Sequence, residues 1–325
     1  MGRPNVSIEI VKDRLGRQTA AQDGTSLLYV GLPNTYPLYS TLALGMVFNS
    51  LRNAEDAGIT QALDISNEIL LWEHIKDFYT NAPEGTALHV LAFAKSTSYQ
   101  ALFTAPATNS LESYLAAQAG EVKLLAVAPN TDVADAATKN NITDVVASLA
   151  LVNGFAESEF TKKRPLLILL EGRNFNPTGS VPNLRTITGA NRVAVIVARN
   201  PQSVDTLLTA GIDNAIDMAA IGFMLGKIAK IPVQRSIARV KDGDLGWVSA
   251  SFSGGNLVSS YTDGELDAIN DKGYIFACKI VGKNGFFFND EPTCTAATDD
   301  YAFISHNQVG SYFTSFLPFR LPSIL

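Results

Sequence analysis

Residues 165–172 read PLLILLEG. Between the opening proline and the closing glycine every side chain from Leu166 to Leu170 is aliphatic, and the one charge is Glu171. A run this short, punctuated at both ends, reads as strand and not helix. Apolar on both faces, it needs cover on both faces, as a central strand of a parallel sheet between helices does. Three stretches share this texture: Leu88–Ala94 (LHVLAFA), Val122–Ala128 (VKLLAVA) and 192–198 (RVAVIVA). Helical patterns lie between some of them. The alternation predicts an α/β fold with a mostly parallel central sheet flanked by helices.

Residues 1–18 read as an N-terminal extended arm. Val6, Ile8 and Ile10 alternate with Ser7 and Glu9, the period-two pattern of a half-buried strand, before a charged leash, KDRLGRQTAAQDG. Such a strand can pair within its own chain or add to a sheet edge of a neighbour. Residues 19–231 are expected to form the α/β core domain. Helices are predicted over 42–56, from an N-cap at Ser66 to Tyr79, over 111–119, from Thr143 and Asp144 towards Phe160, and over 213–229. From Pro232 the texture changes. The stretches 233–240 (VQRSIARV), 245–252 (LGWVSASF) and 256–261 (NLVSSY) read as short strands between turns. A helix over 264–271, a hairpin from 274–281 and 286–288, and a helix starting within 299–306 follow. Residues 232–325 are thus expected to be a smaller β-rich C-terminal subdomain with an atypical tail.

The chain has 325 residues, 46% of them hydrophobic, enough for a full core. Charged residues make up 17%, low against about 25% for soluble domains. Either part of the surface is hidden in an assembly or it is covered by Ser, Thr and Asn. With a net charge of −6 and no basic run longer than Lys162-Lys163-Arg164, a nucleic-acid partner is not expected. No apolar run reaches the roughly 18–20 residues of a membrane span, and MGRPNVSIEI has no signal-peptide core. Cys278 and Cys294 are expected as reduced thiols.

No catalytic, cofactor-binding or metal-ligating set emerges. Gly222-Phe-Met-Leu-Gly-Lys227 mimics a phosphate loop but has three residues between its glycines where four are needed, and Ile228 replaces the metal-binding hydroxyl. GxGxxG and GxSxG are both missing. His74, His89 and His306 have no metal-pair spacing and read as packing or hydrogen-bonding residues. Cys278, in a strand pattern, reads as a buried thiol, and Cys294, in a loop, as the more exposed of the two. Asn176-Pro-Thr-Gly179 reads as a turn. The acidic pairs Asp290-Glu291 and Asp299-Asp300 suit either a divalent cation or, more simply, a capped turn entering a helix.

The ordered set of stretches says more. Asn53-Ala-Glu-Asp-Ala-Gly-Ile-Thr60, the helix ending at Phe78 and Ala82-Pro-Glu-Gly-Thr86 resemble phage contractile tail sheath proteins, with a sheath-related uncharacterised prophage family nearest. Phe155-Ala156, PLLILLEGR at 165–173, GKIAKIPVQRSIARVKDG at 226–243, Lys272-Gly-Tyr274, GFFFND at 285–290 and Thr298-Asp-Asp-Tyr301 fit the same pattern. The resemblance implies a structural subunit, not an enzyme and without cofactor. Its partners would be copies of itself, a tail tube protein and baseplate components. It would sit in a virion tail after synthesis in the bacterial host cytoplasm. Val6, Ile8 and Ile10 would then belong to the arm that reaches a neighbour. After Tyr301 the sequence departs: the family continues into a charged helix, whereas here SYFTSFLPFRLPSIL carries Arg320 as its one charge. The tube-facing helix and the C-terminal linking strand lose their basis there. Two other readings stand beside this one. One is an α/β enzyme with dispersed residues at the C-terminal ends of the core strands, around the loop 172–189; the other is a binding module that uses the N-terminal strand.

Overall fold

The computed structural model describes residues 25–104, 110–132, 134–135, 138–186 and 189–316. Val6, Ile8 and Ile10, and residues 317–325 of the tail, lie outside the described residues. The chain enters at β1 (Thr25–Leu32), then α1 (Tyr39–Leu42), β2 (Met46–Phe48), α2 (Leu51–Asp56), α3 (Gln61–Asn67) and α4 (Leu71–Asn81). Next come β3 (Leu88–Ala94), α5 (Tyr99–Thr104), α6 (Ser110–Ala117), β4 (Val122–Ala128), α7 (Ile142–Thr161) and β5 (Leu167–Glu171). The chain continues through β6 (Val193–Ile196), β7 (Ala198–Arg199), α8 (Pro201–Thr209), α9 (Ile221–Lys230) and β8 (Ser251–Phe252). It closes with α10 (Asp263–Asp271), β9 (Tyr274–Ile275), β10 (Ala277–Cys278), β11 (Phe287–Phe288) and α11 (Ile304–Phe316).

Seven strands form one sheet in the order β2-β3-β1-β4-β5-β6-β9. All neighbouring pairs run parallel except β2, which lies antiparallel on the outside of β3. The stretch 165–172 behaves as its composition demands. Leu166 to Glu171 are all at most 2% exposed, with α7 across β5 and β6 and α9 across β1, β4 and β5. Helix α4 packs on α9, and the glycines of the phosphate-loop mimic explain how closely. A Cβ on Gly222 would lie 2.3 Å from the His74 carbonyl oxygen, and one on Gly226 2.3 Å from that of Phe78. Spaced by four, both face α4 and let the two backbones touch.

Some expected elements differ. Residues 42–56 do not form one helix, because Gly45 turns at φ +91° and β2 intervenes. Ser66 does not cap α4; it lies inside α3 and its hydroxyl donates back to Leu63 O. The N-terminus of α4 is instead met by the Asp64 carboxylate, which accepts from Trp72 N at 2.7 Å. Helix α8 is new, opened by Pro201 at its first position behind an Asn200 cap. The 213–229 pattern splits into a 3-10 turn, Asp213–Asp217, and α9. Residues 233–240 are turns and not a strand: Arg235 N bonds Pro232 O at 2.8 Å, so the backbone pairs locally. Within 245–252 the strand is confined to β8, and 256–261 holds a 3-10 turn, Val258–Ser260. The expected hairpin survives as β10–β11, while β9 joins the main sheet beside β6. Past Tyr301 the chain does form a helix, α11, although an uncharged one.

The two borders of the sheet are unlike. On β9, Asn289 bonds Phe276 N at 2.7 Å through its side-chain oxygen and Tyr274 O at 3.1 Å through its amide, so this edge is sealed. On β2, Val47 is 46% exposed and Leu44 beside it 81%.

Because backbone atoms, not flexible side-chain ends, stand in the way, Gly226→Val is expected to cost about 2–3 kcal/mol by overpacking the α4–α9 contact. Denaturant unfolding followed by circular dichroism reads this directly, and the exposed glycine control Gly179→Ala stays near wild type.

Candidate functional site

In open α/β sheets ligands bind beyond the carboxyl ends of the strands, where strand order reverses. From β1 the chain steps outward to β3, then crosses to β4, β5 and β6 on the other side, so the reversal lies between β1 and β4. That crevice is filled by the chain itself. A Cβ on Gly31, at the end of β1, would lie 2.1 Å from the Pro129 carbonyl oxygen that follows β4. The Asn130 amide donates to Gly31 O at 3.0 Å. Next to it Asn140 donates to Thr131 Oγ1 at 2.9 Å, and the buried Asp144 carboxylate accepts from Asn140 N and Tyr99 N, both at 2.9 Å. Asn130, Thr131 and Asn140 are fully buried.

A second polar group lies beyond β5. Glu171 and Arg173 form a buried ion pair at 3.2 Å. Glu171 also accepts from Ala219 N at 2.8 Å, and its carbonyl accepts from the Tyr99 hydroxyl at 2.7 Å. Arg173 donates to Asn214 O, and Arg199 donates to Ile216 O and Ser253 O. Burial pushes the Glu171 carboxyl up, opposed by Arg173. Asp217 is raised by burial and held back by Arg173 and Arg199. His74 is fully buried with both ring nitrogens unpartnered; burial, and then Arg173, lower its pKa to about 3, so the imidazole is neutral. The loop 172–189 is tied down at its start, where Phe175 N bonds Ser253 Oγ at 3.0 Å and Asn174 N bonds Asp217 O at 3.2 Å.

The sequence candidates take structural roles. His89 Nδ1 sits 2.5 Å from the Tyr114 hydroxyl, and His306 Nδ1 3.1 Å from Asp300 O. Asn176 accepts from Thr178 N at 3.0 Å, as a turn should. Glu291 accepts from Ile237 N at 3.1 Å and Ser305 N at 3.2 Å, and Asp299 from Tyr301 N at 2.8 Å, so both acidic pairs fasten turns at the entry to α11. Among the described residues no three His, Cys, Asp or Glu side chains are placed to hold a metal ion. Both cysteines are free, but their order of exposure is reversed. Cys294 is fully buried because its backbone bonds Val193 O at 2.8 Å on β6, and Cys278 is half-buried. Burial raises the thiols to about 12 and about 11 respectively. Tyr99, Asn130, Asn140 and Arg199 were not legible as site residues; the one signal was Glu171, a charge closing a wholly apolar run.

Residues 3–292 match one sequence family, described as DUF2586, N-terminal domain. The chain belongs to this family. No curated protein matches the sequence. Among solved structures, the DUF2586 chain is similar to the helical sheath of the anti-feeding prophage in its contracted state. The TM-score is 0.57 at 14% identity, over 100% of this chain and 79% of that one. A chain of the six-fold symmetrised anti-feeding prophage baseplate gives 0.56 at 14% identity, covering 99% and 78%. The contracted sheath complex of an extracellular contractile injection system, PVC, gives 0.53 at 13%, covering 99% and 77%. The fold is therefore that of contractile-sheath proteins. No helix among the described residues is long and apolar enough to cross a membrane.

Two substitutions probe this edge. Asp144→Ala strands two buried N–H groups and is expected to cost about 3 kcal/mol in denaturant unfolding. For His74 the folded pKa lies below the unfolded value near 6.5, so the unfolded state takes up the proton first as pH falls. Stability is therefore lost on acidification, by about 2 kcal/mol between pH 7 and pH 5. His74→Leu removes that part of the slope, measured as the difference in unfolding free energy between the two pH values.

Proposed function

We propose that this chain is a sheath-like structural subunit, not an enzyme, that assembles with copies of itself around a tail tube in a contractile tail or related injection apparatus. The observation that carries the reading is the whole-length correspondence of fold, 100% of this chain against 79% of a contracted sheath protein. The filled crevice between β1 and β4 supports it, because Pro129 and Asn130 occupy the place where the competing α/β enzyme would open its site. Tube and baseplate proteins are then the further partners. The subunit works in a virion tail or its derivative after synthesis in the host cytoplasm.

On this reading residues 1–18 serve as an arm, and Val6, Ile8 and Ile10 of one copy lie against another. The border at β2, where Leu44 and Val47 are exposed and the Tyr79 hydroxyl donates to the Phe48 carbonyl, is the edge such a strand fits. The sealed border at β9 is not.

The test is negative-stain electron microscopy of the full-length protein, alone and co-expressed with the products of neighbouring genes. Rings or tubes are expected, and their diameter should admit a tube. Removing residues 1–17 or introducing Val47→Lys should abolish them while leaving the circular dichroism spectrum unchanged. A homogeneous monomer under every condition overturns the assembly reading; tubes that persist in both variants overturn the role of the arm alone.

A further inference from the structure

We propose that residues 200–218 form a latch on the carboxyl edge of the sheet, a unit that opens and closes as a whole while the sheet beneath it stays folded. This inference goes beyond the assembly reading and stands without it. The excursion leaves and returns at one point, because Ala220 N bonds Ala198 O at 2.8 Å across its base. Its apolar side chains do not enter the main core. Val204, Leu207, Ile212, Ala215 and Met218 gather instead with Leu70 in a cluster of their own. Five of the six buried members belong to the excursion, and Leu70, with Ile65 packed beside it, is the apolar surface of the body that opening would uncover.

What fastens it to the body is mostly polar. Arg173 holds Asn214 O, Arg199 holds Ile216 O, Asn174 N holds Asp217 O, and the Asn214 amide holds Glu68 O at 2.7 Å, while just past the unit Glu171 accepts from Ala219 N. These bonds exchange for bonds to water on opening, so each contributes far less to closure than its full strength. The closed state also leaves polar atoms unpaired. Arg173 Nε, Arg199 Nε, Glu171 Oε2 and Asn214 Oδ1 are buried without partners, and opening would hydrate them. On its outer flank α8 is not packed down: a cleft of about 500 Å³ separates Pro201, Asp205 and Thr209 from Val248 and Ser249.

Hydrogen exchange with mass spectrometry on the full-length protein tests this. In the wild type, amides of 202–216 should exchange together and at least about tenfold faster than those of Leu124 to Val127 in β4. Arg199→Met, which removes an anchor and leaves the Glu171–Arg173 pair intact, should speed exchange in 202–216 about tenfold further with β4 unchanged. Leu207→Ala, within the separate cluster, should loosen 202–216 with the same restriction. Exchange of 202–216 as slow as β4 in the wild type overturns the proposal. So does acceleration of both regions alike in either variant. If Arg199→Met does not fold, Leu207→Ala decides.

Discussion

Water has to be kept off both faces of β1, β4 and β5 at once, and most of the architecture follows from that demand. Leu27 to Val30, Leu124 to Ala128 and Leu166 to Leu170 are at most 2% exposed. Parallel neighbours need crossovers, and the crossovers supply the covering helices. Cover this tight places its own demands on sequence. Helix α9 gives up side chains at Gly222 and Gly226 so that α4 can stand behind it, and buries Lys227 at 2% exposure, where desolvation lowers its pKa.

The same architecture elsewhere leaves a ligand crevice beyond its strands. Here that volume is occupied by the protein's own backbone and amides, and the ionisable groups nearby face inward to fix loops. Burial raises Glu171 and Asp217 and lowers His74, which in another setting would mark a reactive centre. Here the Glu171 carboxylate accepts from Ala219 N and Arg173 beside it donates to Asn214 O, contacts that fix loops, while His74 has no partner at either ring nitrogen. A perturbed side chain shows that it is desolvated; what it does depends on what it touches.

Much of the sheet could be read in advance, because continuous aliphatic runs bounded by Pro and Gly leave few alternatives. Leu88–Ala94 and Val122–Ala128 are strands over those same residues. The misses have local causes. The pattern over 42–56 ignored that Gly45 adopts positive φ, and Ser66 was outcompeted as a cap by a carboxylate from the preceding helix. The alternation in VQRSIARV is real, but a strand also needs a partner, and here Arg235 and Arg239 both turn to Asp242 at 3.4 Å. The polar edge was nearly invisible because Tyr99, Asn130, Asp144 and Arg199 meet only through the fold. The sequence separation between Tyr99 and Glu171, and between Arg173 and Asn214, hides the contact from any local pattern.

Asn289 has a consequence for geometry on a larger scale. By satisfying the last backbone groups of the β9 border, it closes that side of the sheet to a further strand. Two copies joined edge to edge at β2 would close about a twofold. An arm laid on the β2 of the next copy would instead join unlike surfaces, and such a contact, repeated from copy to copy, comes full circle after a fixed number of steps or continues as a screw.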